Sequence, residues 1–137
     1  MKRAWEIFRQ VQEKRPLVQC ITNFVTVNDC ANMILAAGGS PSMAHDIREA
    51  AEAALVCNLG AIGDTDAMEA AGKAANLLGI PVVFDPVAAG GTSLRRAEAA
   101  RLMRAVHFSV IRGNASEIRF LAGEQSSGNG VDAAPSA

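Results

Sequence analysis

The chain has 137 residues, the length of one domain or of half a larger one, and its 13 Lys and Arg residues nearly balance its 14 Asp and Glu residues. The resulting formal net charge of −1, without a basic cluster, argues against a nucleic-acid-binding surface. Half of the residues are hydrophobic, which argues against a disordered chain, yet no apolar stretch approaches the ~18 residues of a membrane-spanning helix.

The first half of the chain alternates helical patterns with short apolar runs. Trp5, Phe8 and Val11 recur at helical spacing, and Pro16 ends that pattern. Gly38-Gly39 is a stop signal for a second amphipathic segment. The predicted elements are a helix over 3–14, a strand over 17–21, a helix over 27–37, a brief strand over 42–44 and a short helix over 46–53.

The second half continues this alternation. Asp64 and Thr65 are typical of a helix start, and Gly79 suits the left-handed end of the same helix. The run from Pro81 to Phe84 is rich in β-branched and aromatic residues, which favour strands. We predict a strand over 54–59, a helix over 65–78, a strand over 81–84, a helix over 94–105, a strand over 108–111 and a helix over 115–122.

Strands that alternate with helices indicate an α/β fold, built as a mainly parallel sheet flanked by helices. The 26 alanines fit this architecture, because small side chains let helices lie close to a sheet. Beyond Gly123 the chain consists mostly of small and polar residues. We therefore predict one domain over residues 1–122 and a polar, disordered tail over residues 123–137.

Polar and glycine-rich segments follow the predicted strands. In a parallel sheet such segments meet at one edge, beyond the carboxyl ends of the strands, where ligands bind. The sequence therefore predicts a small-molecule site at this edge. The segments are Thr22-Asn23, Met43-Ala44-His45, Asn58-Leu59-Gly60, Asp85-Pro86 and Arg112-Gly113-Asn114.

Two carboxylates near this edge allow two interpretations. Asn114 and Glu117 have the spacing of a helix cap, and the helix dipole also favours an acid in the first turn. Glu117 and Asp85 could instead flank a magnesium ion through waters, an arrangement that suits phosphate substrates. Asp85 before Pro86 also suits a simple turn. The residues alone leave both kinds of role open.

The other candidates have structural alternatives as well. Arg112 is suited either to clamp nucleotide phosphates or to form a surface ion pair. Asn23 also suits a turn, and Met43 also suits a hydrophobic core. His45 and His107 fit surface or core positions better than the role of a catalytic base.

The three cysteines predict no disulfide framework. Cys20, Cys30 and Cys57 are widely spaced, odd in number and set among apolar residues. This pattern is typical of reduced, buried thiols with a structural role in a cytoplasmic protein. With only two histidines in the chain, a His-rich metal site is not expected either.

Five sequence strings occur in an order that is highly specific in combination. In this order they resemble the N-terminal half of the hydroxyethylthiazole kinase family, thiamine-salvage enzymes of the ribokinase-like superfamily. The resemblance covers almost everything from Pro16 to about Gly123, and it implies a three-layer ribokinase-like fold that is truncated in this chain. The strings are PLVQCITNFV (16–25), AAGGSPSMA (36–44), LVCNLG (55–60), GKAANLLGIPVVFDPVAAGG (72–91) and IRGNASEI (111–118).

The resemblance implies an activity and a set of roles. The activity is transfer of a phosphoryl group from ATP, with Mg²⁺, to the hydroxyl of 5-(2-hydroxyethyl)-4-methylthiazole. The family forms trimers with sites at subunit boundaries, which implies a homotrimer here. The implied site residues are Asn23 and Met43 for the thiazole alcohol, Arg112 and Asn114 for ATP and its phosphates, and Asp85 and Glu117 for the metal.

Catalysis in the family depends on a glycine-rich, cysteine-containing turn at a helix N-terminus, whose amides form an anion hole. No cysteine of this chain follows a glycine, so no catalytic residue is assigned and we expect no turnover from these 137 residues alone. The segment between Ala44 and Ala54 is also shorter than is usual in the family. Two alternatives are a non-catalytic thiazole-binding or assembly module, and a related kinase acting on hydroxymethylpyrimidine; the ITN and SP-x-MA strings favour the thiazole.

Overall fold

Helices and strands alternate along the chain in the computed structural model, which describes residues 2–46 and 54–123. The elements are α1 (Lys2–Lys14), β1 (Leu17–Ile21), α2 (Val27–Ala36), β2 (Ser40–Ser42), β3 (Ala54–Asn58), α3 (Thr65–Leu77), β4 (Val82–Asp85), α4 (Ser93–Ala105), β5 (Val110–Ile111) and α5 (Ala115–Leu121). A short 3-10 turn over Ile62–Asp64 precedes α3.

Two strands differ by two residues from their predicted bounds, and β3 and β4 differ by one residue. β2 begins at Ser40 instead of Ser42, because Gly38 turns the chain with a φ of +94°. The Ser40 N–H then already donates, at 2.9 Å, to the carbonyl of Pro16, the residue directly before β1. β5 is two residues long, because the Ser109 hydroxyl accepts the Val82 N–H at 3.3 Å just before the strand. The predicted helix over 46–53 and the predicted tail over 123–137 fall almost wholly outside the described residues.

The five strands form one sheet in the order β2-β1-β3-β4-β5, and every neighbouring pair is parallel. The chain builds outward from β1 to β2, then crosses back to β3 and continues in the other direction through β4 and β5. The strand order therefore reverses between β1 and β3. In open parallel sheets the carboxyl ends of two such strands separate into a crevice that binds ligands.

The two faces of the sheet carry different layers. Ile21, Leu55 and Phe84 are fully buried on the face covered by α3 and α4. Cys20 lies on the opposite face, where its thiol forms a hydrogen bond with Cys30 of α2. Right-handed crossovers on either side of the reversal send helices to opposite faces, which gives three layers. The predicted α/β fold, a parallel sheet flanked by helices, is confirmed.

The core lies between the sheet and the α3–α4 layer, and small side chains bring these helices close. Gly72 of α3 lies so near Val106 that a Cβ at Gly72 would be 2.7 Å from both Val106 methyl carbons. Alanine has the same effect over most of the interface. The helical residues of the core are Ala67, Met68, Ala71 and Ala75 of α3 and Ala99 and Leu102 of α4.

The apolar faces predicted for α1 and α2 are much more exposed to solvent than those of α3 and α4. Trp5 is 63% exposed although it stacks on Phe8, and α2 has no buried residue. Cys30 is accordingly half-buried, so the prediction of three buried thiols is wrong for this one, while Cys20 and Cys57 are buried. No helix in the described ranges is long and apolar enough to cross a membrane.

Candidate functional site

A cleft of about 600 Å³ opens where the carboxyl ends of β1 and β3 separate. Its volume is in the range of small-molecule sites. Most of its wall is apolar, and a few polar side chains are spaced around it. The lining residues are Thr22, Asn23, Phe24, Val27, Met43, His45, Gly60, Ala61, Ile62, Gly63 and Asp64. The segments after β1, β2 and β3 therefore come together here, as the sequence predicted.

Asn23 and Met43, the two residues that the sequence assigned to a small organic substrate, both line this cleft. The Asn23 carboxamide oxygen accepts the N–H groups of Val25 and Thr26 at 3.0 and 3.1 Å, so the alternative role in a turn is confirmed. These bonds fix the side chain and leave its Nδ2 donor against Gly60, where a Cβ would be 2.7 Å away. A side chain at position 60 would displace Asn23.

His45 and Asp64 form a pair that sequence reasoning missed. The His45 Nδ1 lies 3.0 Å from Asp64 Oδ2 in the cleft wall, with both side chains partly exposed. Asp64 occupies the N-cap position of α3, but its side chain makes no capping hydrogen bond, so its predicted capping role is wrong. Its carboxylate bonds the imidazole instead. Gln19 of β1 holds the adjacent segment, because its Nε2 donates to the Ala44 carbonyl at 3.2 Å.

A second polar cluster lies at the carboxyl ends of β4 and β5. Asp85 ends β4, and its Oδ2 accepts from Arg112 Nη1 at 2.7 Å and from Asn58 Nδ2 at 3.2 Å. Burial raises the pKa of Asp85 above its ordinary value, the Arg112 guanidinium opposes that rise, and the negative charge of Glu117 adds to it. The ion pair considered for Arg112 thus exists, and its partner is one of the two candidate metal acids.

Glu117 is the other candidate acid, and both of its carboxylate oxygens accept backbone N–H groups. Oε2 accepts from Asn114 at 2.9 Å and Oε1 accepts from Ala88 at 3.0 Å, while the Asn114 side chain accepts the Glu117 N–H at 3.0 Å. The predicted helix cap is therefore confirmed as a complete capping box on α5. Glu117 also ties the loop after β4 to α5, with Ala88 held in a left-handed conformation at φ +54°.

The cleft and the second cluster meet at one asparagine. Asn58 donates to Asp85 through Nδ2 and accepts the Gly60 N–H through Oδ1 at 2.8 Å. Arg95 of α4 supports the same region, because its Nη1 donates to the Leu59 and Val87 carbonyls at 3.0 Å each. This role was not predictable from the residue's position, since a basic residue in the first turns of a helix usually faces solvent.

No group of three or more His, Cys, Asp or Glu side chains able to hold a metal occurs among residues 2–46 and 54–123. Asp85 and Glu117 are close enough for their charges to interact, but three of their four oxygens already accept protein N–H groups. A carboxylate oxygen has a second lone pair that can accept from water. The pair therefore fits a magnesium ion that keeps its waters, and it does not fit a closed protein cage.

The family model described as "Hydroxyethylthiazole kinase family" matches residues 8–137. The chain belongs to the hydroxyethylthiazole kinase family. It is 52% identical over 134 residues to the hydroxyethylthiazole kinase of Clostridium beijerinckii, a match that covers 93% of this chain and 49% of that protein. The hydroxyethylthiazole kinase of Methanocella arvoryzae is 50% identical over 135 residues, with coverage of 93% and 51%.

A solved structure described as a hydroxyethylthiazole kinase protein from Pyrococcus horikoshii OT3 superposes with a TM-score of 0.81 and 42% identity, over 90% of this chain and 51% of that one. The fold implied by the resemblance is thus confirmed. The chain spans about half the length of the hydroxyethylthiazole kinases that it matches. Within this half lie the cleft at β1 and β3 and, beside it, the polar cluster of Asp85, Arg112 and Asn58, called the Asp85 cluster below.

Proposed function

We propose that this chain binds 5-(2-hydroxyethyl)-4-methylthiazole in the cleft between β1 and β3, as the substrate-binding part of an ATP-dependent hydroxyethylthiazole kinase. The observation that carries the proposal is the position of Asn23 and Met43 in one cleft at the reversal of strand order, in a chain matched by this family over residues 8–137. The free cysteines support a cytoplasmic location.

The chemistry of the cleft suits a small aromatic heterocycle. Apolar contact area comes from Phe24, Val27, Met43 and Ile62. The Asn23 Nδ2 offers a hydrogen-bond donor, and its orientation is fixed because the Oδ1 of the same carboxamide accepts two N–H groups of the turn. A mostly apolar pocket with few fixed polar groups binds by burial and orients by hydrogen bonds. Phe24 is 90% exposed beside the cleft, which supports the proposal of a homotrimer in which a neighbouring subunit covers it.

The Asp85 cluster suits the ATP side of the reaction. Arg112 uses one of its guanidinium donors on Asp85 and has others to offer to phosphate oxygens, and Asn114 lies at the N-terminus of α5. Asp85 and Glu117 would orient Mg²⁺ through its waters. When bound, that ion would neutralise the negative charge of the phosphates. The protein residues position the reactants, and positioning supplies much of the rate in phosphoryl transfer.

Phosphoryl transfer also needs donors for the charge that develops on the transferred group. In the family these come from a glycine–cysteine turn, and no Gly-Cys dipeptide occurs in this sequence. We therefore expect the 137 residues to bind the thiazole alcohol without phosphorylating it. A coupled assay for ADP, with ATP, Mg²⁺ and the thiazole alcohol present, tests this expectation, and ADP production dependent on the thiazole would contradict it.

Titration calorimetry with the thiazole alcohol tests the binding proposal. Asn23→Asp keeps the oxygen that accepts from Val25 and Thr26 but removes the Nδ2 donor, and Met43→Ala removes apolar contact. Each variant should bind about tenfold more weakly, the loss expected for one hydrogen bond or one buried side chain. Asn28→Asp and Met33→Ala, at exposed positions of α2, are the matched controls and should bind normally.

Absence of saturable binding by the folded wild-type chain would reject the proposed function. Hydroxymethylpyrimidine serves as the competing ligand, because a pyrimidine kinase is the alternative that shares this fold. Tighter binding of the pyrimidine than of the thiazole would reassign the cleft. Equal affinity of the wild type and the Asn23→Asp and Met43→Ala variants would show that the thiazole binds elsewhere.

A further inference from the structure

Few side-chain polar atoms in the wall of the cleft are left without a hydrogen-bond partner in the described part of the chain. Thr22 Oγ1 pairs with Thr26 Oγ1 at 3.0 Å, and Asn23 Oδ1 accepts two backbone N–H groups. His45 Nδ1 is taken by Asp64. The side-chain atoms that remain are the donor Nδ2 of Asn23, the ring nitrogen Nε2 of His45 and the second carboxylate oxygen of Asp64, Oδ1. A ligand that fills the cleft meets one donor, one imidazole nitrogen and one carboxylate oxygen.

The partner of His45 decides what Nε2 offers to a ligand. An ionised carboxylate is only an acceptor, so the His45 Nδ1 must carry the hydrogen in its 3.0 Å bond to Asp64. In the neutral imidazole the other ring nitrogen is then an acceptor. Asp64 has no capping bond to α3 that competes for this carboxylate. When the imidazole is neutral, the pair therefore holds the tautomer that presents an acceptor at Nε2.

A small heterocycle with a ring nitrogen and a primary alcohol has the complementary groups. Its ring nitrogen accepts one hydrogen bond and its hydroxyl donates one. In an apolar cleft an unpaired polar group is expensive, so an acceptor at Nε2 discriminates strongly between a hydroxyl and a methyl group at the same position. Discrimination of this kind distinguishes a molecule that can be phosphorylated from an analogue that cannot.

We propose that His45 Nε2 accepts the hydrogen bond of the substrate's hydroxyl group, and that Asp64 is a positioning residue that holds His45 in the required tautomer. The proposal rests on the proposed function, because it assigns a specificity role within the same thiazole-binding cleft. Gln19 supports the position of His45, because its side chain donates a hydrogen bond to the carbonyl of the preceding residue, Ala44. The pair lies in the wall of the cleft and joins the segment after β2 to the N-terminus of α3.

The test compares the thiazole alcohol with 5-ethyl-4-methylthiazole, which lacks only the hydroxyl. The wild-type chain should prefer the alcohol by about tenfold or more, as expected for one buried hydrogen bond to a substrate hydroxyl. His45→Ala should remove most of this preference while it keeps the affinity for the ethyl analogue. His45→Gln, whose carboxamide oxygen can accept near the position of Nε2, should restore part of it.

The role of Asp64 has a readout that a merely structural residue would not change. Nitrogen-15 shifts of the His45 ring should report a hydrogen on Nδ1 in the wild type, and Asp64→Ala should shift the population towards the other tautomer. His107→Ala and Asp66→Ala are the matched controls, since His107 uses backbone groups to bond Asn76 and Asp66 faces Arg101. Both should retain the preference and the His45 tautomer.

The outcomes separate this inference from the proposed function. If the wild type prefers the alcohol and folded His45→Ala retains the full preference, the inference is overturned and thiazole binding stands. If the free wild type carries the ring hydrogen on Nε2, the inference is overturned as well. If the folded wild type binds neither thiazole, the proposed function is rejected and this inference falls with it. Loss of the preference in His45→Ala together with the tautomer shift in Asp64→Ala supports it.

Discussion

The guanidinium of Arg112 lies 2.7 Å from the carboxylate of Asp85, and the two side chains differ greatly in exposure, at 70% for the base and 13% for the acid. A largely exposed cation thus lies against a largely buried anion. The same guanidinium is the group proposed to meet nucleotide phosphates. Its contact with Asp85 holds it at the sheet edge, where the proposed nucleotide would meet it.

Replacing Arg112 by Gln should raise the pKa of Asp85 further, because the guanidinium is the charge that opposes burial and Glu117. Carbon-13 titration of the Asp85 carboxyl measures the change. Arg104→Gln, at an exposed position of α4, is the control and should leave this titration unaltered. An unchanged Asp85 pKa in Arg112→Gln would show that the ion pair has no influence in solution.

The raised pKa of Asp85 also gives the chain a pH dependence of stability. The folded state binds the Asp85 proton more readily than the unfolded state, whose carboxyl has the ordinary value of 3.8. The contribution of Asp85 to stability is therefore greatest below 3.8 and falls as pH rises from there through the raised value. Urea unfolding over this window should show that Asp85→Asn removes this dependence, whereas Asp29→Asn, at an exposed position of α2, should retain it.

Glu117 should be important for stability, because its carboxylate satisfies the N–H groups of Asn114 and Ala88 from a buried position. Glu117→Ala should lower the free energy of unfolding by about 2 kcal/mol, from a lost cap and an unsatisfied N–H group. Glu117→Gln keeps one acceptor oxygen and should lose roughly half as much. Urea denaturation gives both values, and exposed Glu6→Ala should stay within about 0.5 kcal/mol of the wild type. Equal stability of Glu117→Ala and Glu6→Ala would contradict the dual contact.

Gly60 should not accept a side chain. A Cβ there would lie 2.6 Å from Asn58 Oδ1 and 2.7 Å from Asn23 Nδ2, so Gly60→Ala should displace both amides and lower the melting temperature. The side-chain amide NMR signals of Asn23 and Asn58 report the displacement directly. Gly63→Ala is a strict control in the same cleft wall, because nothing lies within 4 Å of the Cβ position there. Identical amide spectra for the two variants would be inconsistent with the close approach.

The cysteines should differ in reactivity in the folded chain. Burial raises the pKa of the Cys20 and Cys57 thiols to about 12, so neither is a thiolate near neutral pH. Cys30 is half-buried on α2 and accessible from solvent. A disulfide reagent at pH 8 should modify one thiol rapidly in the native state and three after unfolding. Cys30→Ser should abolish the rapid phase, and a rapid phase that persists would place the reactive thiol elsewhere.

Much of the fold could be predicted from the sequence, because hydrophobic periodicity and the glycine and proline residues that end helices and strands act locally. Gly79 ends α3 in a left-handed conformation at φ +68°, as its position after an amphipathic run predicted. The strand-end segments also converge as predicted, since parallel strands impose that geometry. The stripe of Trp5 in α1 was less informative, because a helical pattern shows that a face is apolar but not what covers it.

The position of the cleft at the sheet edge could be predicted, but the long-range hydrogen bonds around it could not. Asn23 and Met43 could be placed at one edge because each follows a strand, but the bond of His45 to Asp64 joins residues 19 positions apart. Asp64 carries a local signal for capping, and a tertiary contact takes its carboxylate away. Arg95 was missed for the same reason, because the two carbonyls that it binds lie on loops that only the folded sheet brings together.

Among the described residues, both margins of the sheet are poorly suited to strand addition by another chain. On one side, Ser40 directs its N–H inward to Pro16, so Pro41 lies at an outward-facing position and has no N–H to offer there. On the other side, β5 has only two residues. Short or proline-containing margins are a common protection against edge-to-edge aggregation. A contact between two copies of this part of the chain would therefore use its exposed apolar helix and loop surfaces, where side chains make the contacts and can give specificity.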